Sequence, residues 1–170
     1  MTMDHLNQDA SEHLLETVSA DAVSSLDEKG KLIIEQLQQD GRRSYSAIAR
    51  AVGLSEAAVR QRITRLMKEQ IVKIVAVTNP LQIGFSRQAM VQITTEGDVV
   101  GTADRLAEIP QVVYCVVTAG AWDVVLEILC ENDHHLLQLL QQIRSTEGVR
   151  HAETLTFLSL RKQEYDWGTR

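Results

Sequence analysis

The chain has 170 residues, 44% of them hydrophobic and 24% charged, a globular composition long enough for one ordinary domain or two small ones. Its formal net charge is -6 and only 4% of it is aromatic, so the expected core is aliphatic, built from Leu, Ile and Val. No apolar run approaches the roughly 20 residues that span a bilayer, which argues against an integral membrane protein. No Lys or Arg precedes Lys29 and no long apolar stretch opens the chain, so a secretory signal is not expected. Cys115 and Cys130 sit within apolar runs, without a CxxC or a His/Cys cluster at zinc spacing. They read as buried free thiols of a cytoplasmic protein that needs no metal and no cofactor.

The net charge hides an asymmetry. Residues 1–26 hold five acids and no base, residues 27–75 hold ten bases and six acids, and residues 76–170 hold seven bases against twelve acids. A basic segment therefore lies between two acidic ones. It can meet a polyanion even in an acidic molecule, because fields are screened within about 8–10 Å at physiological salt.

Residues 1–25 are polar and acidic with weak periodicity and read as a mobile N-terminal arm or a marginal helix. Asp27 then caps a first helix with Leu32, Ile33 and Leu37 on its apolar side and Gly41 as its stop. Ser44 caps a short second helix, "YSAIARAV", with Ile48 and Val52 inward and Gly53 at its end. Ser55 caps a third, running to about Gln70 with Val59, Ile63, Leu66 and Met67 on one face. The β-branched run "IVKIVAVT" (71–78) reads as a strand, and Pro80 and Gly84 mark a linker. Beyond it, strands and helices alternate as β-α-β-β-α-β: "RQAMVQIT", "DVVGTADRLAEI" capped by Asp98, "VVYCVVT", "DVVLEILC", "NDHHLLQLLQQIRS" with Leu136, Leu139, Leu140 and Ile143 inward, and "VRHAETLTFLSL". That is the ferredoxin-like plan. The expected divisions are an arm (1–25), a three-helix domain (26–75), a strand linker (76–86), the ferredoxin-like domain (87–160) and a tail (161–170).

In the strand 112–118, simple alternation sends Val113, Cys115 and Val117 one way and Val112, Tyr114 and Val116 the other. Two helices cover one face of a four-stranded sheet. An apolar second face predicts a homodimer through this domain.

The third helix contains "GLSEAAVRQRITRL", residues 53–66 with three arginines and one acid. At 100° per residue its apolar stripe lies opposite Ala57, Gln61, Thr64, Arg65 and Lys68, with Arg60 and Arg62 on the flanks. Ala57, Arg60 and Gln61 lie in the first two turns, which suits major-groove entry by the N-terminal end of a recognition helix. Arg42, Arg43 and Ser44, ahead of the second helix, are placed to meet phosphate. Arg62 reads as a phosphate or intramolecular partner. The small Ala49, four residues before Gly53, permits the close crossing of a helix-turn-helix. These features favour double-stranded DNA as partner over a solvated amphipathic helix.

At this point the chain resembles the Lrp/AsnC, or feast/famine, transcription regulators. The resemblance lies in "LDEKGKLIIEQLQQDGRRSYSAIARAVGLSEAAVRQRITRLMKEQIVKIVAVTNPLQIGF", with its Leu26-Asp27 entry, its Gly53-Leu54-Ser55 turn followed by Val59, Arg62 and Ile63, and its Asn79-Pro80 linker. It continues in the Gly-x-x-Asp turn from Gly120 to Asp123 and covers about residues 26–160. It implies an α+β protein with a winged-type helix-turn-helix domain followed by a ferredoxin-like (RAM/ACT-like) domain. It also implies a homodimer that assembles to a tetramer or octamer and binds partly palindromic DNA. The DNA-binding set becomes Arg42, Arg43, Ser44, Ser55, Glu56, Ala57, Arg60, Gln61, Arg62 and Arg65. The resemblance further implies an amino-acid-like effector held near the turn, with Thr118, Ala119, Gly120, Ala121, Trp122, Asp123, Thr154 and Thr156 as candidates. Exposed backbone N–H groups of such a turn suit a carboxylate, and Asp123 suits an ammonium. The arm and the tail "RKQEYDWGTR" depart from the family pattern.

Two other readings share these features. A siroheme-decarboxylase-like enzyme of the same fold would use His and Arg residues around a large cleft. Here His134 and His135 open a helix, His151 starts a strand without an evident partner, and no nucleophile–base pair appears. An architectural DNA-binding protein would keep the helix and the dimer and lack an effector.

Overall fold

The computed structural model describes residues 26–169, so the acidic arm lies outside the described residues. They form two compact units, one of residues 26–75 together with 164–169, the other of Ala76–Gln163.

The first unit holds α1 (Glu28–Gln39), α2 (Tyr45–Val52) and α3 (Glu56–Lys68). Each begins at an oxygen-bearing cap: Asp27 accepts from the Gly30 N–H at 2.9 Å, Ser44 from Ala47 at 3.3 Å and Ser55 from Ala58 at 3.2 Å. These caps satisfy N–H groups that the helix itself cannot. Gly53 ends α2 at φ 69, a left-handed conformation that glycine adopts without a Cβ penalty, and this reverses the chain into α3. The Lys29 ammonium donates to the Val52 carbonyl and covers the same helix end. Ile33, Leu37, Ile48, Ala49, Val52, Val59 and Ile63 are the buried cluster between the helices. Near the tail, the Thr169 hydroxyl donates to Glu35 on α1 at 2.7 Å.

Several expectations need correction here. Leu32 is exposed, because the buried stripe of α1 runs through Gly30, Ile33, Ile34 and Leu37. Met67 is exposed for the same kind of reason: Val59, Ile63 and Leu66 carry the stripe of α3. The first helix ends at Asp40 in an extended conformation rather than at Gly41, and the third at Lys68 rather than Gln70. Residues 71–78 form no strand, so no wing follows α3 among the described residues, and the linker 76–86 carries only the short 3-10 turn Pro80–Gln82. A ladder needs a neighbouring strand for its N–H and C=O groups, and none of the described strands pairs with this run.

The second unit is built from β1 (Arg87–Thr95), α4 (Val99–Ala107), β2 (Val112–Val117), β3 (Val124–Cys130), α5 (Asp133–Ser145) and β4 (Val149–Thr156). The sheet order is β2-β3-β1-β4 with antiparallel neighbours, which is the ferredoxin-like arrangement. Alternation in β1 and β3 places Ala89, Val91, Ile93, Val124, Leu126, Ile128 and Cys130 under the helices, where they meet Ala103, Leu106, Leu139 and Ile143. Leu136 and Leu140 pack against this core from α5. Burial of the Cys115 thiol pushes it up to about 11, so it is protonated near neutrality.

The simple alternation expected for β2 fails at a bulge. Val112 pairs with Ile128 and Tyr114 with Glu127, leaving Val113 as the extra residue. Val112 and Cys115 therefore both reach the core, whereas Val113 and Tyr114 are exposed. The face that none of the described helices covers mixes Met90, Tyr114, Val125, Leu129 and Leu155 with Gln88, Gln92, Glu127 and Glu153, and Gln88 donates to Glu127 at 2.5 Å.

Two carboxylates tie elements together. Asp27 receives Arg62 from α3 through both oxygens at 2.7 Å, and Asp133 at the start of α5 receives Arg87 from β1 at 2.5 and 3.0 Å. The hydrogen bond from Arg62 holds the Asp27 carboxyl below its ordinary value of 3.8, as that from Arg87 does for Asp133. A depressed carboxylate favours the folded state only while ionised, so this contribution is complete above pH 3.8 and is lost as pH falls through the lower folded values. Thermal melts are expected to hold their midpoint from neutrality to the ordinary carboxylate range and to drop below it. Asp27→Asn and Asp133→Asn together should flatten that drop, and an unaltered acid profile in the double variant would contradict the assignment.

Candidate nucleic-acid interface and effector turn

Apart from Met67, the basic helix presents its surface as the wheel predicts. Val59, Ile63 and Leu66 are buried, while Ala57, Arg60, Gln61, Thr64 and Arg65 are exposed on the other side. Ser44 and Ser55 are exposed caps, and Glu56 and Arg42 are exposed beside them. Arg43 is half-buried and reaches Gln39 at 3.4 Å. Arg65 stands 3.8 Å from Glu69, an open surface pair whose net worth is small and which leaves the guanidinium available.

Two arginines are held more firmly. Arg62 turns back to Asp27, so of its two readings the intramolecular one is realised, and it braces the entry of α1 against α3. Arg60 donates to Glu56 at 3.2 Å, and its Cζ lies 4.9 Å from the centre of the Tyr45 ring. The contact between Tyr45 and Arg60 was not legible in the sequence, because no spacing rule links side chains fifteen positions apart.

In the second unit, residues 118–123 join β2 to β3. The Thr118 N–H donates to the Asp123 carbonyl at 2.8 Å, and its hydroxyl to the Trp122 carbonyl at 2.6 Å. The Asp123 carboxylate accepts from both the N–H and the hydroxyl of Thr95, at 2.7 and 3.1 Å, at the end of β1. Ala119, Gly120 and Ala121 are exposed. Trp122 stacks on His151, ring centres 6.1 Å apart and planes 21° from parallel. His151 thus has a partner that the sequence did not reveal. With Arg144, Val149, Arg150 and Ala152 it also lines a shallow depression of about 360 Å³.

Thr154 and Thr156 do not join this turn. They pair with Val91 and Ala89, earlier in β1 than the Ile93–Ala152 pair beside which the turn sits, and Thr154 lies on the helix-covered side. Strand register within one chain separates the two sets. Among the described residues no group of three His, Cys, Asp or Glu side chains is arranged to hold a metal ion, and no helix is long and apolar enough to cross a membrane.

A helix-turn-helix with an exposed basic third helix, followed by a ferredoxin-like domain, defines a two-domain DNA-binding regulator. Residues 26–67 match the AsnC-type helix-turn-helix domain, and residues 88–167 match the Lrp/AsnC ligand binding domain. An HTH-type transcriptional regulator of Pyrococcus furiosus is 35% identical over 143 residues, covering 82% of this chain and 97% of the relative. The regulator FL11 of the same organism is 33% identical over 140 residues, covering 81% and 93%. Among solved structures, the feast or famine regulatory protein of M. tuberculosis complexed with L-methionine superposes with a TM-score of 0.75 at 31% identity, covering 82% of this chain and 96% of that one. The chain belongs to the Lrp/AsnC family of transcriptional regulators. These relatives are transcriptional regulators, which sets the decarboxylase reading aside.

Proposed function

We propose that this DNA-binding regulator recognises a partly palindromic operator as a homodimer, and that an amino acid or related small metabolite tunes that binding or the assembly of dimers into tetramers or octamers. The reading rests above all on α3. Its buried stripe fixes which side faces out, and that side carries Ala57, Arg60, Gln61 and Arg65. Arg60 and Gln61 in the first two turns serve as base readers, and the small Ala57 lets the backbone approach the groove. Arg42, Arg43 and the N-terminus of α2, beside Ser44, serve as phosphate contacts. Ser55 and Glu56 frame the entry of α3, with Glu56 bonded to Arg60.

The effector-responsive part draws on the turn. Asp123 anchors it, Trp122 and His151 give it an aromatic wall, and a related regulator has been solved with L-methionine. Thr154 and Thr156 would reach such a ligand only from another chain. A sheet face that none of the described helices covers, and a run 71–78 that pairs with no described strand, are consistent with a homodimer.

A mobility-shift assay on the DNA upstream of the coding region, at two salt concentrations and with a panel of amino acids, tests these points together. Arg60→Ala and Gln61→Ala are each expected to weaken specific binding by about 1–3 kcal/mol. Arg43→Ala should weaken all sequences alike and reduce the salt dependence. Footprints unchanged in strength and sequence preference would refute the assignment of base readers, and insensitivity to every panel member would favour an effector-free architectural role.

A further inference from the structure

The recognition side of α3 is supported from outside its own helix. Tyr45 is the first residue of α2, directly after the Ser44 cap, and packs against the buried cluster of the three-helix unit. The core therefore sets the position of its ring. Its remaining face lies against the Arg60 guanidinium, with 4.9 Å between Cζ and the ring centre. A cation at that distance is attracted by the ring quadrupole. Among the described residues Arg60 is the arginine so placed. Arg62 is committed to Asp27, and Arg65 reaches only toward Glu69 at 3.8 Å.

This contact differs in kind from the Glu56–Arg60 pair at 3.2 Å. When DNA approaches, phosphate competes with Glu56 for the guanidinium and repels the carboxylate. The ring face carries no net charge, so it keeps its hold as the groove closes around α3. A long exposed side chain loses rotamer freedom when it binds, and ordering it beforehand reduces that loss. We infer that Tyr45 is a positioning residue for operator recognition: its ring pre-orders Arg60 for a base edge and sets part of the sequence specificity without reading a base itself. The inference rests on the reading of Arg60 as a base reader.

The test uses the full chain, a duplex selected by the wild-type protein from a randomised pool, and a scrambled duplex of equal length. The readout is the ratio of the two affinities for Tyr45→Phe, Tyr45→Leu, Arg60→Ala and the Tyr45→Leu/Arg60→Ala pair, with thermal melts confirming folded protein. Leucine keeps an apolar side chain for the core and removes the π face. Tyr45→Leu is expected to lower the ratio about threefold to tenfold, while Tyr45→Phe stays at the wild-type ratio. The double variant should match Arg60→Ala alone. A purely structural role would instead lower both affinities and leave their ratio unchanged, which overturns the inference. So would a Tyr45→Phe ratio as low as that of Tyr45→Leu, because the hydroxyl would then be responsible. If Arg60→Ala itself leaves the ratio unchanged, the base-reader assignment fails first and the inference falls with it. If Arg60→Ala lowers the ratio and Tyr45→Leu does not, only the inference fails.

Discussion

Gly148→Ala is expected to cost about 3–5 kcal/mol of stability in the ferredoxin-like unit, combining backbone strain and overpacking. Gly148 lies between α5 and β4 with φ +89, outside the range that alanine adopts readily. A Cβ there would lie 2.0 Å from the Thr102 hydroxyl oxygen and 3.2 Å from Arg105 Nη2. Neither neighbour moves freely. Thr102 is fully buried, its hydroxyl donates to the Asp98 carbonyl at 2.7 Å, and it accepts from Arg105 at 3.1 Å. Arg105 also donates to the Glu147 carbonyl at 3.0 and 3.3 Å, so it clamps α4 to the turn before β4. The Glu96 N–H meanwhile donates to the Gly148 carbonyl at 2.9 Å, fixing the same peptide from the β1 side.

Denaturant unfolding followed by Trp122 fluorescence in a Trp167→Phe background measures the loss, because the chain has only two tryptophans. Adding Thr102→Ala to Gly148→Ala removes the 2.0 Å contact, so the double variant should lose less stability than the sum of the two single losses. A Gly148→Ala protein with the wild-type midpoint would show that the close approach to Thr102 is absent in solution.

What could be read from the sequence follows the range of the interactions. The caps at Asp27, Ser44, Ser55 and Asp98 bond to N–H groups three residues on, so residue type and position suffice to find them. The stripe of α5 and, Met67 apart, that of α3 were legible because one periodicity fits them. The bulge at Val113 was not, since β2 is apolar at every position and a shift of register leaves its pattern unchanged. The Asp27–Arg62 bond spans 35 residues, and the Trp122–His151 stack is likewise made by the fold rather than by spacing. The same limit explains Thr154 and Thr156. Their place in the strand was readable, whereas their distance from the turn depends on the pairing of β1 with β4.

Asp123 is the residue whose role the structure changes most, and its replacement should separate two effects that the sequence merged. As an exposed turn acid it reads simply as an acceptor for an effector ammonium. In the fold its Oδ2 already accepts from the Thr95 N–H and hydroxyl, so it also fastens the turn to the end of β1. A carboxylate offers about four lone-pair sites, so these two bonds leave capacity for a ligand. Asp123→Ala removes the acceptor, strands the Thr95 N–H and is expected to cost about 2–3 kcal/mol of stability. Asp123→Asn keeps an oxygen for Thr95 and removes the charge. It should retain most of the stability while losing the attraction for an ammonium. On the effector reading proposed above, thermal shifts with an amino acid that stabilises the wild-type protein separate the cases. At a ligand concentration of 100 times Kd, wild-type stabilisation is about 2.7 kcal/mol, and both variants should lose nearly all of it. Both should keep operator binding in the absence of effector within about twofold, because the α3 surface is unaltered. An Asp123→Asn protein that keeps the full ligand-induced shift would mean that Asp123 serves the turn alone and that the effector's ammonium is recognised elsewhere.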